Sequence, residues 1–124
     1  MVQTSREFEA GPDPFGRIWH VHFNWLQTGI SIRHADTVDV KFAAAPEGEE
    51  FEERVIALSH PALLEVSHNV GHPLTDPWCL KIAALHLKHM IESGEDFEKT
   101  LVTPMPEEIA GYARQLQDAL VARK

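Results

Sequence analysis

Residues 19–25 read Trp-His-Val-His-Phe-Asn-Trp, and this run restricts the fold more than any other stretch. Trp19, Val21, Phe23 and Trp25 alternate with His20, His22 and Asn24. Period-two alternation of aromatic and β-branched side chains with polar ones marks a strand with one dry face and one wet face. A lone strand of that kind is not stable, so the chain must supply strand neighbours and a layer that covers the dry face.

The downstream sequence offers both. Residues 17–27 form the first expected strand, and Thr28-Gly29 suits a tight turn because glycine accepts a positive φ. Strands at 30–33 and 39–43 then follow, joined by a loop at 34–38. In this register Trp25 faces Ile32, Ile32 faces Val40, Ile30 faces Phe42, and Arg33 faces Asp39 as a cross-strand charge pair. A fourth strand at 52–58 follows the acidic connection Pro46–Glu52. Trp25 belongs to the dry face here, so Trp25→Ala should cost about 3–5 kcal/mol.

The second half has helical punctuation. Pro61 opens a short helix through Leu63, Leu64 and Val66, which Gly71 and Pro73 end. Asp76 as cap and Pro77 at the first helical position start a helix that Gly94 stops after Ser93. Cys79, Ile82, Ala83, His86, Leu87 and Met90 give it a broad apolar arc, so it should be the most buried helix. Residues 100–102 read as a brief extension. Pro106, Glu107 and Glu108 begin a last helix with the stripe Ile109, Tyr112, Ala113, Leu116 and Leu120.

The expected fold class is therefore α+β in two layers. An antiparallel meander of three or four strands from the N-terminal half packs against two or three helices from the C-terminal half. Residues 1–15, with Gly11, Pro12 and Pro14, read as an extended lead-in, and residues 16–124 as a single domain. A chain of 124 residues can bury a core without covalent staples.

Composition narrows the function classes. The formal net charge of −8 argues against nucleic-acid and anionic-membrane partners. One cysteine, Cys79, rules out an internal disulfide framework and points to a reducing cytoplasm. The first residues carry no secretory pattern, and no apolar run reaches membrane-spanning length. Dinucleotide, P-loop, nucleophile-elbow and Cys-x-x-Cys motifs are absent.

Eight histidines are the compositional oddity. His20 and His22 share a strand face about 7 Å apart, close enough for their nitrogens to converge on one ion. With His34, Asp36 or Asp39 completing the set, they could hold zinc or another divalent metal; the alternative is a plain polar sheet face. His68 and His72 are separated by the helix-breaking Gly71 and read as helix-end histidines. Cys79 reads as a buried structural thiol. His86 lies on the buried arc and needs a hydrogen-bond partner. The ligand-binding candidates are Arg33, Asn24 and His86.

Three functions follow. The first is a non-catalytic binding or assembly domain, a homo-oligomer or an accessory subunit for a protein partner. The second is a metal-binding protein or metal-dependent enzyme built on His20 and His22. The third is a small-ligand pocket between sheet and helices near His86.

Overall fold

A computed structural model describes residues 5–29, 36–96 and 98–122. Its element order is β1 (Glu7–Ala10), β2 (Trp19–Gly29), β3 (Thr37–Pro46), β4 (Glu52–Ser59), α1 (His60–Val70), α2 (Asp76–Ser93), β5 (Leu101–Val102) and α3 (Pro106–Ala122). The sheet runs β1-β2-β3-β4-β5. The first four strands are antiparallel, and β5 joins β4 in parallel. This is the expected α+β arrangement, with the sheet drawn mainly from the first half and the helices from the second.

The pairing of β3 differs from the sequence expectation. Its neighbours are β2 on one side and β4 on the other, so Val40 lies between Leu26 and Ile56, and Asp39 between Gln27 and Ala57. The pairs Ile32–Val40, Ile30–Phe42 and Arg33–Asp39 are thereby replaced. Residues 30–33 themselves lie outside the described residues. Thr28 and Gly29 continue β2 and pair with Val38 and Thr37 instead of turning. The short hairpin read from Thr28-Gly29 loses to a longer ladder of eleven-residue and ten-residue strands, which sets Leu26 against the buried Val40.

A bulge corrects the face of Trp25. Phe23 pairs with Phe42 and Trp25 with the next residue, Lys41, so Asn24 is the extra residue in β2. One inserted residue reverses the alternation beyond it. Leu26 takes the inward position, while Trp25 stands on the other face, 37% exposed, with the Lys41 ammonium 5.3 Å from its ring centre.

The N-terminal lead-in contributes a strand. Phe8 and Ala10 alternate inward, opposite Val21 and Trp19. The following loop closes on one carboxylate. Asp13 accepts from the Phe15 and Arg17 amides (both 2.9 Å), the Arg17 Nε (2.8 Å) and the Trp19 indole N–H (3.0 Å). Burial alone would raise its pKa, but these donors outweigh it and hold it at about 2. Gly11 precedes this loop at φ +124°, and a Cβ there would lie 2.7 Å from the Arg17 carbonyl oxygen, so only glycine fits.

The core lies between the inner sheet face and the helices. Val21, Val40, Phe42, Ile56 and Leu58 from the strands meet Leu63, Ile82, Leu87, Met90, Ile91 and Ile109 from the helices, all fully buried. α2 occupies its expected span and buries ten side chains. Its cap is Thr75 rather than Asp76: the Thr75 hydroxyl accepts from the Trp78 amide at 3.3 Å, and Asp76 falls in the first turn. Gly94, at φ +79°, ends it. No helix among the described residues is long and apolar enough to cross a membrane.

Candidate functional site

Two regions collect the residues singled out from the sequence. The first is the outer sheet face, which the helices leave bare. The inward residues of β3, Val38, Val40, Phe42 and Ala44, join the helical core cluster. Their outward neighbours do not. Ala45 and Ala57 are buried yet lie outside that cluster, and with Ala43 they give the outer face a low floor. Trp25 and Phe51 are exposed, at 37% and 49%. Phe51 packs its ring 5.0 Å from that of His22. Lys41 Nζ sits 2.7 Å from Glu53 Oε1.

His20 and His22 share this outer face, as their spacing implied, but the pairing sends each toward its own carboxylate. His22 lies opposite Glu7 and His20 opposite Glu9. Their Nδ1 atoms are 3.7 Å and 3.8 Å from those oxygens. The same register separates them from Asp39. The β3 partners of His22 and His20 are Ala43 and Ala45, several residues along the strand. Asp39 instead accepts from the Thr37 hydroxyl at 2.8 Å. Asp36 is exposed beyond the start of β3, where its carbonyl accepts from the His60 amide at 2.9 Å. His34 lies outside the described residues. Among the described residues, no group of three or more His, Cys, Asp or Glu side chains is arranged to hold a metal ion.

Glu7 and Glu9 are the participants the sequence reading missed. Their signal was present: Glu7-Phe8-Glu9-Ala10 alternates with period two, but four residues beside Gly11 and Pro12 are too few to stand out.

The second region is a cleft of about 320 Å3 between the end of α2 and the start of α3. His86, 4% exposed, lines it together with His89, Glu95, Asp96 and Glu108. His86 Nδ1 is 2.8 Å from the Tyr112 hydroxyl and 3.8 Å from Glu108 Oε2. Burial lowers the His86 pKa; Glu108 pulls it up, and His89 pushes it down again. Burial, then Glu108 and Glu95, pushes the Tyr112 phenol up to about 12. A neutral imidazole and a neutral phenol thus share one hydrogen bond at neutral pH. The opposite ring nitrogen, Nε2, is buried without a hydrogen-bond partner among the described residues. A buried polar atom left unsatisfied costs stability, so its retention calls for a reason.

The other ligand-binding candidates do not join His86. Asn24 is the exposed bulge residue of β2, and Arg33 lies outside the described residues. His68 and His72 flank the left-handed Gly71; the His72 ring stacks on Trp78 at 5.1 Å, and the Ser67 hydroxyl donates to the His72 carbonyl. Cys79 is an inert structural thiol: burial, reinforced by Asp76, pushes its pKa up to about 11. No known protein family, curated protein or solved structure matches this chain.

Proposed function

We propose that the chain is a non-catalytic assembly domain whose outer sheet face packs on a second copy of itself. The observation that carries this reading is the one-sided cover. Helices α1 and α2 pack on the strands and α3 packs on those two helices. Their buried side chains join the inward residues of the sheet in one core cluster, while Trp25 and Phe51 stand exposed on the outer face. A floor of alanines allows a second sheet to approach to the ~10 Å of face-to-face packing. Two-fold pairing of one patch with itself is the commonest closed assembly.

Sedimentation of the protein against concentration tests this. A dimer at micromolar concentration that Trp25→Asp converts to a folded monomer is the expected result. A wild-type monomer throughout would overturn it.

A second reading rests on His86 Nε2: a small polar ligand that hydrogen-bonds this atom would occupy the cleft of His86, Glu95 and Glu108. It entails a ligand-dependent rise in melting temperature that His86→Phe removes. The metal reading of His20 and His22 has weaker geometry, since each histidine leans toward a different carboxylate.

A further inference from the structure

Between α2, α3 and β1 runs a groove of about 450 Å3, which neither region above uses. Phe8, Trp78, Leu85, Leu116 and Leu120 form its apolar lining, and Leu120 is 44% exposed there. Lys81 and Lys88 stand on its α2 side. Both are exposed, and neither takes part in an ion pair among the described residues.

That is unusual company in a chain of net charge −8, where acids are plentiful. Glu92, one turn beyond Lys88, would be its natural helix partner. Its carboxylate instead accepts from the Gly11 amide at 3.4 Å. Glu9, the acid of the lining among the described residues, belongs to β1 and lies beside His20.

The two lysines are seven residues apart, which is two helical turns. They share one side of α2, about 10 Å apart along its axis, with Leu85 between them. Flexible four-carbon stems let both ammonium groups lean toward an anion held above Leu85. The groove thus offers a cationic rim over an apolar trough of the size that holds a small molecule.

We propose that this groove binds a small amphipathic anion: a carboxylate head held by Lys81 and Lys88 with an unbranched alkyl chain laid along Phe8, Leu116 and Leu120. The lysines select the charge, and the trough selects the length. Neither half of the ligand suffices alone, because the head is solvated in water and the chain has no anchor without it.

Calorimetric titration of the whole chain with decanoate, below its micelle concentration, tests the proposal. One decanoate per chain should bind, octanoate more weakly by about fourfold per buried methylene, and acetate not at all. Lys81→Ala/Lys88→Ala should weaken decanoate at least tenfold with an unchanged circular dichroism spectrum, since both side chains are exposed and form no ion pair among the described residues. No decanoate binding, undiminished binding to the double variant, or equal binding of uncharged 1-decanol would each overturn it. So would an acidic amphipathic peptide that binds where decanoate does not, which would reassign the groove to a protein partner.

Discussion

Trp25 and Phe42 are both large aromatics in the middle of the sheet, one residue out of register, and they separate its two faces. Phe42 is fully buried; Trp25 is partly exposed, with the Lys41 ammonium over its ring. Phe42→Ala should cost about 3–5 kcal/mol, whereas Trp25→Ala should cost about 1 kcal/mol or less in the monomer. Chemical denaturation of the two variants measures the difference, and equal losses would mean that the bulge does not reverse the face.

His86 sets a second expectation at this scale. Its folded pKa lies below the 6.5 of the unfolded chain, so the unfolded state binds the proton more readily. The stability tied to neutral His86 is complete above 6.5. It is lost as pH falls from there through the folded value, by at most about 1.4 kcal/mol per pH unit. Urea melts between pH 7.5 and 5 should show this decline, and His86→Phe should flatten it. An unchanged slope in that variant would place the responsible group elsewhere.

Among the elements, α2 and β2 show what local sequence can and cannot specify. The ends of α2 are written in Pro77 and Gly94, each acting on its own backbone, and the span is therefore legible. Its cap slips by one residue because Thr75 and Asp76 are both able caps, and Pro77, whose preference for the first helical position points to Asp76, is tolerated one position later within the first turn. The alternation of β2 is equally legible as far as Phe23. Beyond it the partner decides. The bulge at Asn24 exists because Leu26 must meet Val40 while Phe23 meets Phe42, and no pattern within residues 19–29 contains that information.

A deletion tests this account. Removing Asn24 takes out the unpaired residue and leaves Phe23 inward and Trp25 outward, so the variant should still melt cooperatively. Removing His22 instead would reverse residues 19–21, carrying Trp19 and Val21 outward, and should abolish the cooperative transition. Near-ultraviolet circular dichroism and thermal melts distinguish the two.

For the whole molecule, the layering was legible because a half-apolar sheet and three amphipathic helices have few ways to share one core. The candidate sites were less so. His20 and His22 were visible as a pair, but their carboxylates come from β1, at the far side of a loop held by Asp13. Tyr112 reaches His86 from α3, twenty-six residues away, a meeting no spacing rule foretells. That short first strand carries one further implication. β1 covers Trp19–His22, the first part of an eleven-residue strand rich in aromatic and β-branched side chains. A chain cleaved ahead of Trp19 would present those amides and carbonyls as an unguarded template, and molecules would add to one another strand by strand. The four residues of β1, with the carboxylate that fastens the loop behind them, thus keep the first part of β2 paired within its own chain.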